Sequence, residues 1–126
     1  MPVAKQLKVM VVDDQQSMRG LARQCLKRMG IVDVALAASG DAALKDLQGA
    51  RFDVVISDLN MPGMSGVDLA REVKSHPVLK SICFLLATSE MYRDKAEADI
   101  VDHFVAKPFS VADLKSALEA KLGSLT

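Results

Sequence analysis

Short apolar runs alternate along this chain with longer segments whose apolar positions recur at helical spacing. Residues 7–12, 32–37, 53–57, 82–87 and 103–106 are the strand-like runs, each too short for a buried helix. Between the first two, Met18, Leu21, Ala22, Cys25, Leu26 and Met29 form one helical stripe, and Gly30 follows where a helix C-terminus favours glycine. Weaker stripes cover residues 41–47, 67–73 and 111–122, with Ser110 placed to cap the last. The near-continuous hydrophobicity of the strands predicts parallel strands covered on both faces. Right-handed crossovers between such strands make a doubly wound α/β sandwich of five strands and about five helices the expected architecture, in one domain spanning residues 1–126. Residues 89–102, SEMYRDKAEADIVD, break the pattern: they are charged, lack Gly and Pro, and offer few apolar positions, so any helix there is short or loosely packed.

Charge narrows the function. Lys plus Arg and Asp plus Glu number 16 each, so no net basic field supports counterion-release binding, and nucleic acid is excluded as a partner. Cys25 and Cys83 lack redox or zinc spacing and are expected as buried thiols in a reducing cytoplasm. No leader-like segment or membrane-length apolar run is present, which predicts a soluble, cytoplasmic protein without membrane insertion, and zero net charge with no spare apolar stripe suggests a monomer. His76 and His103 are isolated and receive no metal or catalytic task.

In an open α/β sheet, ligands bind beyond the carboxyl ends of the strands. Here those ends carry Asp13 and Asp14, then Asp58, then Thr88 with Ser89, then Lys107 before Pro108; only the second strand delivers nothing polar. Three carboxylates drawn together repel unless their pKa values rise or a cation joins them. An all-oxygen set suits magnesium, whereas a transition metal would want His or Cys. With the cation in place, one aspartate is available as a nucleophile toward phosphorus, and Lys107 and Thr88 as donors to phosphoryl oxygens. Taken singly, each feature has an ordinary reading: an N-cap, a loop, a solvated Lys-Pro turn, a backbone-bonded hydroxyl. Their coincidence at four strand ends is what points to a site.

The segments KVMVVDDQQSMR, VVISDLNMPGMSG, LLATSE and FVAKPF together resemble the receiver domain of two-component response regulators, over essentially the whole chain. The resemblance implies a flavodoxin-like (CheY-like) sheet of strand order 2-1-3-4-5. It implies that Asp58 accepts a phosphoryl group from a CheA-like histidine kinase, with Mg2+ held by Asp13, Asp14, Asp58 and the backbone carbonyl of Asn60. Thr88 and Lys107 would meet the phosphoryl group, the Lys107–Pro108 bond would be cis, and Pro62, Gly63 and Gly66 would shape a loop keeping Asp58 exposed.

Within that family, SMR after the acid pair, Asn60 and Glu90 resemble CheY-type chemotaxis proteins. Asn60 and Glu90 would flank the path of attacking water and tune dephosphorylation, unless both are plain loop residues. Phe104 stands where a rotating aromatic couples to Thr88 in relatives, although Tyr is common there; the alternative is a plain core Phe. The interval from Thr88 to Lys107 is shorter than the family pattern, and Ile100 replaces the usual helix-ending Gly, so an atypical fourth-helix region is expected. The chain stops at Thr126, which leads us to expect no output domain, output through binding, and no enzymatic activity beyond its own phosphorylation and dephosphorylation. Three readings remain. The first is a switch that binds a flagellar motor switch protein through Phe104, Lys115 and Lys121, although those lysines also fit ordinary helix-surface charges. The second is a phosphate sink draining a shared kinase. The third is a phosphohydrolase using an aspartyl phosphate, which the lack of a cap domain disfavours.

Overall fold

A computed structural model describes residues 3–88, 101–107 and 110–123. Its strands are β1 (Lys8–Val12), β2 (Asp33–Ala37), β3 (Val54–Asp58), β4 (Cys83–Thr88) and β5 (His103–Ala106). They lie in one sheet in the order β2-β1-β3-β4-β5, every pair parallel. Four helices connect or follow them among the described residues: α1 (Gln16–Arg28), α2 (Gly40–Gly49), α3 (Gly66–Ser75) and α4 (Val111–Leu122). Residues 89–100, where a fifth helix was in question, lie outside the described residues.

Successive side chains of a strand point to opposite faces, so the central strands divide between two cores. Val9, Val11, Ile56 and Leu85 face Ala22, Leu26 of α1 and Leu114, Leu118 of α4. Met10, Val12, Phe84 and Leu86 face Ala43 and Leu47 of α2 with Leu69 and Val73 of α3. Burying each such Leu or Phe stabilises the fold by about 1.5–3 kcal/mol relative to exposure. The expectation of two covered faces holds fully for β1, β3 and β4; β2 and β5 also reach both cores, through Val34 and Ala35 and through Val105 and Phe104, but as edge strands keep exposed positions. Val32, expected in a strand, precedes β2 and is 68% exposed, because the ladder with β1 begins at the pair Lys8 and Asp33.

Other boundaries shift for local reasons. Leu7 closes a 3-10 turn, donating its N–H to the Ala4 carbonyl, and Ile82 does the same toward Leu79. Asp53 lies just outside β3, yet its N–H reaches the Lys8 carbonyl at 2.9 Å while its carboxylate accepts the Lys8 N–H at 2.9 Å. Ser110 caps α4 as expected, in a capping box with Asp113, and Ser65 with Asp68 does the same for α3. No helix among the described residues is long and apolar enough to cross a membrane.

Candidate functional site

Strand register assembles the site. Val12 pairs with Ser57, so Asp13 arrives beside Asp58; Asp58 pairs with Ala87, so Thr88 stands one step beyond; Thr88 pairs with Ala106, so Lys107 follows. The outer strand β2 contributes only the Ala37 carbonyl, which accepts the Asp13 N–H at 3.1 Å. The Lys107 N–H donates to the Thr88 carbonyl at 2.8 Å, tying the last two strand ends together.

Lys107 Nζ lies 3.1 Å from Asp13 Oδ2 and 3.0 Å from Asp58 Oδ1. The three side chains are nearly enclosed, at 12%, 7% and 12% exposure for Lys107, Asp13 and Asp58. Asp58 is therefore less open than its loop suggested, because the lysine lies across it. The other Asp13 oxygen, Oδ1, accepts the Gln15 N–H at 2.9 Å, and the Asp13 carbonyl accepts Arg19 Nη1 at 2.7 Å. One oxygen of Asp13 thus shapes the turn into α1, whose N-cap is Gln15, and the other faces the site.

One carboxylate oxygen each from Asp13, Asp14 and Asp58 come within 4.8 Å of one another. Burial pushes the Asp58 pKa up, and the charges of Asp13 and Asp14 add to that, while Lys107 opposes them. Burial would lower the Lys107 pKa, but its bonds to Asp58 and Asp13 prevail and hold it above the ordinary value. Oxygen-only donors of surplus negative charge fit a hard divalent cation, and the Asp58 carboxylate sits beside a fixed ammonium donor.

The loop after β3 is fixed from both ends. The Leu59 N–H donates to the Ala87 carbonyl at 2.9 Å, and the Gly66 N–H to the Leu59 carbonyl at 3.0 Å. A Cβ on Gly66 would collide with the Asp58 carbonyl oxygen and come 2.7 Å from a Leu86 methyl, so only glycine lets α3 start this close to the strand end. Gly63 turns the loop with φ +74°, a conformation other residues adopt at a cost.

Of the remaining expected residues, Thr88 is buried at its strand end and Asn60 is exposed in the loop. Phe104 is half-buried, beside Leu86 in the ladder and against the α2–α3 core. Glu90 and Pro108 lie outside the described residues. Lys115 is exposed on α4, whereas Lys121 pairs with Asp102 at 3.2 Å. Two residues escaped the sequence reading. Arg19 anchors the Asp13 carbonyl from within α1. Asp102 gathers Lys74 at 3.1 Å, Lys121 and the Phe84 N–H at 2.7 Å at the opposite edge of the sheet. Only Arg19 had a sequence signal, since the apolar stripe of α1 puts it one turn from the acids.

Comparison with known proteins follows the same geometry. The family model for the response regulator receiver domain matches residues 9–119. The chemotaxis protein CheY of Pseudomonas aeruginosa is 38% identical over 117 residues, covering 90% of this chain and 94% of that protein. The crystal structure of CheY4 of Vibrio cholerae superposes with a TM-score of 0.84 at 35% identity, covering 92% and 98% of the two chains. The response regulator TrrA of Thermotoga maritima, solved in complex with Mg(2+)-BeF, gives 0.83 at 31% identity over 92% and 99%. TrrA has also been solved in complex with the histidine kinase ThkA.

Proposed function

The chain belongs to the response regulator receiver domain family, and from that premise we propose that it is a CheY-type signalling receiver whose Asp58 accepts a phosphoryl group from a histidine kinase. The observation that carries this reading is the Lys107 ammonium spanning Asp13 and Asp58 at the carboxyl edge, with a third carboxylate, Asp14, in reach. The proteins it matches are signalling proteins rather than classical enzymes, which argues against a phosphohydrolase.

Asp13, Asp14, Asp58 and the Asn60 carbonyl would hold Mg2+. The ion when bound supplies positive charge that offsets the clustered carboxylates and favours oxygens of an incoming phosphoryl group. An Asp58 oxygen attacks phosphorus, the phosphorus–nitrogen bond of the kinase phosphohistidine breaks, and the histidine leaves. Lys107 and the Thr88 hydroxyl donate to the transferred oxygens, and Lys107 in doing so gives up part of its hold on the acids. Asn60 and Glu90 then tune hydrolysis. Displacement of Thr88, coupled to Phe104 two strands' width from Asp58, is the switching element. The Mg(2+)-BeF complex of TrrA and its complex with ThkA support the ion and the kinase.

The protein would act as a cytoplasmic monomer in chemotaxis, partnering a CheA-like kinase and, when phosphorylated, a flagellar motor switch protein. The phosphate-sink reading gains from one observation: of three expected contacts, Phe104 is half-buried and Lys121 is engaged by Asp102. The direct test is to mix the protein with a phosphorylated CheA-type kinase. Magnesium-dependent loss of phosphoryl from the kinase supports the reading, and a kinase that stays phosphorylated sinks it. Beryllofluoride then separates the outputs: it tightens binding to a motor switch peptide for a switch and leaves it unchanged for a sink.

A further inference from the structure

β2 brings no side chain to the acidic edge, yet it and the residue before it leave apolar side chains exposed. Val32 and Leu36 are 68% and 38% exposed, two of the three exposed large hydrophobic residues among the described residues. Val34 and Leu36 share one face of the strand, the face on which Val34 packs toward α1, and Val32 stands just before the strand. A groove of about 490 Å³ lies there, walled by Gly20, Arg23 and Lys27 of α1 and floored by Ile31, Val32 and Val34.

The wall is basic. α1 carries Arg19, Arg23, Lys27 and Arg28 and no acid, in a chain whose charges balance overall. Arg19 is committed to the Asp13 carbonyl, but neither Arg23 nor Lys27 forms an ion pair among the described residues. Gly20 sits in the middle of α1, where glycine costs helix stability relative to alanine, and a Cβ there would meet nothing within 4 Å. Packing does not require this glycine. Its effect is to leave the groove open toward solvent.

Gly20, Arg23 and Lys27 follow one another at i, i+3 and i+7, spanning about two turns or roughly 10 Å of helix. Residues 32–36 run about 13 Å alongside. From these dimensions, the apolar floor and the unpaired cations, we propose that this groove docks an amphipathic helix of a partner protein. That helix would place aliphatic side chains on Val32 and Val34 and acidic ones against Arg23 and Lys27. The surface is separate from the acidic edge, so it would hold a partner without depending on the state of Asp58.

The test uses fluorescence anisotropy with a labelled synthetic helix of about three turns, leucine on one face and glutamate on the flanks, and a counterpart with every leucine replaced by serine. The intact protein should bind the leucine peptide at least about tenfold more tightly than the serine one. Arg23→Glu combined with Lys27→Glu should weaken binding at least about tenfold, and Gly20→Gln should do the same by filling the groove. Gly20→Ala should bind as the parent does, and all variants should keep the parent's circular dichroism. Equal binding of both peptides, no binding by the intact protein, or binding undiminished in the double variant would overturn the proposal. So would a concentration-dependent dimer that the double variant abolishes, since a second copy would then be the occupant.

Discussion

Lys107 and Asp58 meet at 3.0 Å across the carboxyl edge, the lysine arriving after the last strand and the aspartate ending the third. The same ammonium reaches Asp13, so one cation holds apart two enclosed carboxylates. Its raised pKa means the pairing contributes fully below the ordinary 10.5 and is lost only as pH climbs through the higher folded value. Lys107→Ala is expected to lower stability without magnesium by about 2–4 kcal/mol, because two nearly buried acids lose their partner. Millimolar magnesium should raise the thermal midpoint of the parent and raise that of the variant further, the ion taking over the neutralising role. A midpoint indifferent to magnesium in both proteins would remove the cation from this site.

Gly66→Ala tests the close approach that delivers Asp58. The new methyl would occupy the space of the Asp58 carbonyl oxygen, so the loop must move or the strand end must. We expect a loss of about 2–4 kcal/mol in denaturant unfolding, accompanied by slower phosphorylation. A variant as stable as the parent would mean the helix start is freer than the contact implies.

Asp102→Asn tests the hub at the other edge. Burial alone would raise the Asp102 pKa, but the Phe84 N–H, Lys74 and Lys121 outweigh it and hold the carboxyl below the ordinary 3.8. A depressed acid contributes stability above its unfolded pKa and loses it as pH falls through the folded one. The contribution is therefore constant near neutrality and declines only as pH falls from the ordinary 3.8 toward the lower folded value. The substitution should cost about 1–3 kcal/mol at pH 7 and progressively less in acid. An equal cost at pH 7 and pH 3 would assign the effect to packing rather than charge.

The strands and the acidic edge were legible because each depends on a local regularity, whereas the strand order 2-1-3-4-5 came from the family resemblance. Apolar runs stop abruptly at Asp13, Asp58, Thr88 and Lys107, and parallel topology then obliges those stops to share an edge. Edge effects were less legible: Val32 belongs to an apolar run, and nothing in that run says that the ladder with β1 begins only at Asp33. Asp102 was not legible at all. Its partners Lys74 and Lys121 come from other helices, and only the folded sheet brings three long-range side chains together. Lys107 was read as a partner for phosphoryl oxygens, and its hold on Asp13 and Asp58 beforehand emerges from geometry alone.

The central claim is that Asp58 is the group that takes the phosphoryl. Intact-mass measurement after incubation with a small phosphodonor such as acetyl phosphate tests it most directly, on the parent and on Asp58→Asn. The account predicts one added phosphoryl group on the parent with magnesium, none after chelation, and none on Asp58→Asn under either condition. Labelling that persists in Asp58→Asn, or that proceeds equally without magnesium, would contradict it.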